Sequence, residues 1–550
     1  MLQIDQIKML ITEQPQEENA FLQRQIEKLL HISGKEIAGW KILKKSLDAR
    51  KKPKLYWIYR VVVTLTDKQT EERLLTSSKN NFVMTYHPVI YQPPVINDAD
   101  ANRLQNRPVI IGTGPAGLLC GYQLACQGLR PILIERGKCL EQRKKAVEDF
   151  WDRGVFEPNT NVQFGEGGAG AFSDGKLQTQ VKDKTGRIRY ILETFVEHGA
   201  PEEILFLNKP HIGTDLLAVV VKKMREHMIS MGAEFYFDTT MTGLEINNGK
   251  IGGIRLTDRQ GERILPADCC ILCIGHSARD TFLALYEQGV KMENKPFAVG
   301  LRVQHSQALI NEAQYGEGWK KKHLPPADYK LTYTAGSGRG VYSFCMCPGG
   351  YVVNASSEPE RTAVNGMSYH GRDSGNANSA IVMTVDQTDY GSDMFDGMYF
   401  QQELEHRAYL LGDGRLTLQR LSDFVAESST AGENIQKLLQ PKVKGQYLWG
   451  DIRGILPNRL SLDFKEAMQY FGTVMKGFDR PDTILCGIES RTSSPVKILR
   501  NEDFQSNIRG LYPCGEGAGY AGGITSAALD GLKVAEKIIM LYNESICATT

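Results

Sequence analysis

The hydrophobic pattern changes character along the chain. ENAFLQRQIEKLLH (18–31) places apolar residues at helical spacing, Phe21, Ile26, Leu29 and Leu30, and predicts a helix. YWIYRVVVTL (56–65) is β-branched and aromatic and predicts a strand. Residues 1–95 therefore read as a small α/β unit, and YQPPVINDADANRLQN (91–106), rich in proline and polar residues, as a linker. From 107 to 296 short apolar strands alternate with helical stretches, the signature of a parallel sheet with crossover helices. From 297 to 480 the alternation weakens. Strand-like pieces such as FAVGLRVQH and GGYVVNAS stand between polar, glycine-rich stretches. From 481 to 550 the first pattern returns. The expected architecture is α/β: a three-layer, Rossmann-like domain interrupted by a sheet-rich α+β domain, with the small α/β domain in front.

Bulk composition narrows the function classes only modestly. The chain has 550 residues, 41% hydrophobic and 23% charged, with a formal charge of +1, so no global field favours nucleic acid or membrane. MLQIDQIKMLITEQ lacks a basic start followed by an apolar core, and no run approaches the ~18 apolar residues of a membrane span. Cys269, Cys270 and Cys273 lie in an apolar run, where cysteine behaves as a small hydrophobe. A reduced, cytoplasmic protein is expected. The ten histidines show no zinc-site spacing, so no metal is expected, and GMSYH (366–370) lacks the closing glycine of a nucleophile elbow. KILKKSLDARKKPK (41–54) is strongly basic. It fits either an anion or RNA contact or, as charge runs usually do, a solvated hairpin or turn, and nucleic acid is not expected as a partner.

Candidate chemistry begins at PVIIGTGPAGLLCGYQLACQGLRPILIERG (108–137), a strand, tight turn, helix and second strand. Gly112 permits the turn, Gly114 lets backbone approach a pyrophosphate, and Gly117 lets the helix sit close on the strand. Pro115 and Ala116 open the helix, where a missing proline N–H costs nothing. Glu135 ends the second strand, where an acid holds a ribose hydroxyl. With strand, helix and acid all in place, the motif predicts dinucleotide binding.

Two later segments, ADCCILCIGHSARD (267–280) and NIRGLYPCGEGAGYAGGITSAALDGLKVAEKI (507–538), complete a layout that resembles the FAD-binding domain of the glutathione-reductase and p-hydroxybenzoate-hydroxylase type. Gly515-Glu516 stands where that type usually has Gly-Asp, and Ile274-Gly275 where Thr-Gly is commoner. FGEGGAGAFSDGKL, HIGTD, GHSARD, CMCPGG, GIESRTSSPVKI and GEGAGYAGGITSAALDG together resemble a group of bacterial FAD-dependent dehydrogenases whose substrates are not established. The resemblance implies FAD as cofactor and a small-molecule substrate with an electron donor and acceptor. It also implies cofactor contacts at Arg136, Arg143, Gly167, Gly168, Ala169, Met241, Gly275, Gly515, Glu516, Gly523 and Ile524.

FGEGGAGAFSDGKL (164–177) is a second glycine loop. No apolar strand feeds it and no Rossmann helix follows. Leu177 stands where a Walker loop needs a hydroxyl, so it does not predict a second nucleotide site. It is expected beside the flavin ring of the first nucleotide, with Ser173, Asp174 and Lys176 on the substrate side. Lys176, His276 and Arg491 are the candidate catalytic residues. His276 and Arg279 fit either the flavin surroundings or an outer surface. Arg491 fits either a substrate anion or an ion pair with Glu489 or another acid. Cys345 and Cys347 in CMC fit a thiol facing the flavin or, preferentially, paired buried strand cysteines. The expected function is FAD-dependent oxidation or reduction, with an RNA-associated flavoprotein or a monooxygenase as alternatives.

Overall fold

A computed structural model describes residues 1–14, 17–77, 82–96, 106–428 and 438–547. Most of the expected linker, 97–105, lies outside these. Its first part is ordered against the body of the protein, with the Tyr91 hydroxyl donating to Glu536 at 2.5 Å.

The N-terminal unit is a four-stranded sheet in the order Ile37–Asp48, Tyr56–Leu65, Leu2–Leu10, Val83–Thr85. The helix Glu18–Leu30 packs on it through Leu22, Ile26 and Leu30, a strict four-residue stripe, while Phe21 and Leu29 sit at its partly buried edge. The basic segment is the strand Ile37–Asp48 and the turn after it, so the hairpin reading holds. Its lysines tie the unit to the rest of the chain. Lys45 pairs with Glu18, lies 4.8 Å from the Trp57 ring and exchanges backbone hydrogen bonds with Phe206 and Asn208. Lys52 donates to the Ala313 carbonyl.

A five-stranded, wholly parallel sheet carries the middle of the chain. Its order is Leu511–Pro513, Cys270–Leu272, Val109–Ile111, Ile132–Ile134, Glu234–Tyr236. Each strand is three residues long, and alternation sorts its side chains to two cores. Ile110, Leu133 and Ile271 meet the helices Pro115–Cys126, Gly213–Ser230 and Ile524–Cys547. Val109, Ile111, Ile132 and Ile134 meet Met241, Leu244, Ile254 and Leu256 of a three-stranded antiparallel sheet. Helices, parallel sheet and antiparallel sheet are the three layers expected of a Rossmann-like domain. Cys270 and Cys273 stand in C-x-x-C spacing, yet the pleat sends Cys270 to one core and Cys273 to the other, so they act as packing residues.

The insert is built on a seven-stranded sheet in the order Thr332–Thr334, Gly340–Cys347, Asn376–Val385, Phe297–Ser306, Ile484–Glu489, Leu416–Arg420, Tyr447–Trp449. The strand Ile484–Glu489 lies beyond the expected boundary at 480. It pairs antiparallel with both Phe297–Ser306 and Leu416–Arg420 and is buried throughout. Its continuous apolar run does not distinguish a strand of one sheet from a strand of the other. Met292–Asn294 pairs with Val496–Ile498 where the chain leaves and re-enters the first sheet. Among the described residues, no helix is long and apolar enough to cross a membrane.

Candidate active site

A cavity of about 930 Å³ opens at the C-terminal ends of the parallel strands, between the two glycine loops and the insert. This is where open α/β sheets bind ligands.

The glycines of the first loop divide by cause. A Cβ on Gly112 (φ +99) would overlap the Cys273 carbonyl, and one on Gly117 would overlap the Gly112 carbonyl. The protein's own backbone forbids side chains there. Gly114 differs. Its φ of −70° suits any residue, and a Cβ would approach nothing nearer than the Gly168 Cα at 3.8 Å. The space beside it opens to the cavity. Gly114 is also the N-cap of the helix Pro115–Cys126 and offers no capping side chain, so the positive helix end faces the cavity.

Glu135 joins the two loops. One carboxylate oxygen accepts from the Thr113 N–H at 3.0 Å and hydroxyl at 2.8 Å, the other from the N–H groups of Gly137 and Gly165 at 3.0 Å each. The expected ribose acid thus fills its roughly four acceptor positions with protein donors. Beside it, Arg136 stacks 4.4 Å from the Phe164 ring and is held by Asp280 and Thr281.

The second loop lacks the strand and helix that frame the first. It begins from no strand and runs into a short 3₁₀ turn, Ala169–Phe172. It lies on the first loop: the Gly167 N–H donates to the Thr113 carbonyl at 3.0 Å, and a Cβ on Gly168 (φ +60) would sit 3.0 Å from the Gly114 Cα.

Arg143, expected at the cofactor, is fully buried and lines no part of the cavity. Its guanidinium donates to the carbonyls of Asn161, Val162, Gly165, Glu166 and Gly168 at 2.6–3.1 Å. It is the internal prop of the second loop, a role hidden in the sequence because LEQRKKAVEDFW reads as an ordinary charged helix. Gly117, Gly167 and Gly515 also lie behind the cavity wall. A Cβ on Gly515 would meet the Ala116 Cβ at 2.8 Å, so its task is close packing of the last segment on the first helix. The other expected cofactor positions, Gly112, Gly114, Pro115, Ala116, Glu135, Arg136, Gly168, Ala169, Met241, Gly275, Glu516, Gly523 and Ile524, line the cavity. Burial pushes the Glu516 carboxyl up to about 7.

Lys176, His276 and Arg491 line the same cavity, as do Ser173 and Asp174. Asp174 is occupied: it accepts from Ser368 at 2.5 Å and Arg372 at 2.7 Å, with Lys176 at 3.8 Å. Burial, reinforced by Arg491 and Arg279, lowers the His276 pKa to about 3, so its imidazole is neutral at physiological pH. Arg491 pairs with Glu405 at 2.8 Å rather than with Glu489. Arg279 lies outside the cavity and grips the same Glu405 at 2.9 Å. Burial opposes ionisation of Glu405, but the two guanidinium groups hold it well below the usual carboxylate range. Glu489 pairs with Arg302 at 2.8 Å.

Sequence reasoning missed Lys295, Asn365 and Glu489 on the wall, and it favoured burial for Cys345. A bulge between Phe344 and Cys347 puts Cys345 at φ +43 and partly exposed on the cavity, while Cys347 stays buried.

Residues 296–492 match the family model described as "FAD-dependent protein, C-terminal domain-like", and residues 1–64 match a domain of unknown function. An uncharacterized protein of Clostridium beijerinckii is 42% identical over 529 residues, covering 95% of this chain and 96% of its own. The two chains belong to one family. The cradle at Gly114 and the match to an FAD-dependent domain agree on FAD as the cofactor. Solved structures overlap more loosely. The glycerol-3-phosphate dehydrogenase of Bacillus halodurans complexed with FAD is 12% identical, with 82% of this chain and 66% of that one covered and a TM-score of 0.35. The flavin-dependent brominase Bmp2 is 12% identical, with 80% and 79% covered and a TM-score of 0.36. Likeness at this level does not extend to a substrate.

Proposed function

We propose that this chain is an FAD-dependent oxidoreductase, with FAD held in the cavity between the two glycine loops. The observation that supports this most directly is Gly114, whose backbone needs no glycine and whose neighbouring space is open. The helix start at Pro115 would receive the pyrophosphate. Arg136 and Met241 would hold the adenosine half, and Gly168, Ala169, Glu516, Gly523 and Ile524 the flavin half. Bound FAD supplies two-electron transfer by hydride exchange at N5.

The protein's own groups orient and tune. Lys176 and Arg491 bring positive charge to the cavity, suited to an anionic group on the substrate. Glu405 fixes Arg491 from behind, and neutral His276 offers a hydrogen bond without charge. We place the FAD unit at 107–296 plus the segment after 492. The insert then supplies the facing wall through Cys345, Asn365 and Glu489, and a substrate enters between the two units. The RNA-associated reading gains no support, because Lys45 and Lys52 are engaged within the chain.

Anaerobic mixing of the purified yellow protein with NADH and NADPH, then re-oxidation by a quinone, a disulfide or oxygen, tests the reading. Bleaching followed by recovery is expected. Oxygen as the sole effective acceptor would favour monooxygenase chemistry, and a flavin that no donor reduces would contradict an oxidoreductase.

A further inference from the structure

The strand Gly340–Cys347 ends in an irregularity that the proposed flavin chemistry does not use. Phe344 faces Ala380 and Cys347 faces Asn378, so three steps on one strand match two on its neighbour. The extra residue is absorbed at Cys345, whose φ of +43 is left-handed. A bulge of this kind re-aims a side chain, and here it brings Cys345 to the cavity wall. Cys347, fully buried behind it, directs its Sγ to the Cys345 carbonyl at 3.2 Å. Arg302 anchors the turn from below, donating to that same carbonyl at 3.2 Å and to Asn378 at 2.7 Å.

Two cysteines two apart on a straight strand have Cα atoms about 6.6 Å apart, near the far limit for a disulfide. Within that span the Cys347 Sγ turns back to the Cys345 carbonyl at 3.2 Å. The Cys347 side chain is the largest influence lowering the Cys345 pKa, and Arg302 and Lys176 add to it against the cost of burial. Sulfur accessible from a cofactor cavity, backed by a second buried sulfur and a fixed cation, is the arrangement of a reactive thiol with its resolving partner.

We propose that Cys345 and Cys347 form a dithiol–disulfide couple that exchanges two electrons with the FAD bound in the same cavity. This rests on the FAD reading above. As the Sγ–Sγ bond forms, both S–H bonds break, and two electrons and two protons leave the pair. Bound FAD would accept the two electrons and one proton, and the second proton would pass to solvent. The reverse reaction reopens the disulfide.

The test uses the purified holoprotein, oxidised with diamide, desalted and titrated anaerobically with dithionite. Wild type is expected to take up about four electrons per FAD, and Cys345→Ser and Cys347→Ser about two, as a two-electron couple requires. Cys126→Ser, which removes an exposed thiol, should titrate like wild type. Alkylation and peptide mass on the wild type need no variant to fold. After oxidation the peptide spanning 340–350 should lack two hydrogens and resist alkylation, and after reduction it should carry two alkyl groups. A yellow wild-type protein that takes up only two electrons overturns the couple alone. So does a peptide alkylated equally before and after oxidation. A protein that binds no FAD overturns the parent reading and this step with it.

Discussion

Gly168 lies directly on Gly114: a Cβ on the former would stand 3.0 Å from the Cα of the latter. Two loops separated by about fifty residues of chain thus form one wall of the cavity.

Gly114→Val should weaken FAD binding by at least about 10–100-fold, the equivalent of 1–3 kcal/mol of steric conflict. Its stability without flavin should stay close to wild type, because its backbone angles suit valine. Gly168→Val should lose FAD and also destabilise the apoprotein, since valine is strained at φ +60. Flavin fluorescence titration and apoprotein melting measure both.

Arg143→Met should destabilise the protein by about 3 kcal/mol or more, because five loop carbonyls lose their buried donor. A fall in Tm of several degrees, with reduced FAD retention, is the expected result. Unchanged Tm with weaker FAD binding would instead make Arg143 a direct ligand.

Glu405→Gln removes the buried carboxylate between two guanidinium groups and leaves them Glu358, 2.7 Å from Arg279 and 3.9 Å from Arg491, as counter-charge. A loss of about 3–5 kcal/mol is expected, as for breaking a buried ion pair. Thermal denaturation reads it. A milder variant, Glu405→Asp, should recover part of the loss.

Glu166 is fully buried, and burial raises its pKa from 4.5 to about 7 despite Arg225. Between those values the folded state holds a proton that the unfolded state has released. Its contribution is therefore fully present below about 4.5 and is lost as pH rises to about 7. The slope is at most about 1.4 kcal/mol per pH unit. Glu166→Gln should flatten that part of the stability–pH curve. An unchanged curve would mean that Glu166 is ionised throughout.

The sequence made the nucleotide fold legible because its signals are local. Gly112, Gly114, Gly117 and Glu135 lie within one strand–helix–strand unit, and each backbone demand can be read from spacing. The insert's edge was less legible: Ile484–Glu489 is buried on both faces, as strands of either sheet are. The roles of Arg143, Arg491 and Cys345 were hidden for a common reason. Each depends on partners far along the chain, such as Gly168 for Arg143 and Glu405 for Arg491, or on a bulge whose register no short motif encodes.

Flavin stoichiometry tests most directly whether the cavity beside Gly114 holds FAD. The chain should be purified, stripped of flavin and titrated with FAD beside the Gly114→Val variant. Saturation near one FAD per chain in the wild type, with the variant half-saturating only at about 10–100-fold higher FAD or above, is the expected result. A wild-type protein that binds no FAD, or a variant that binds it equally well, would contradict the account.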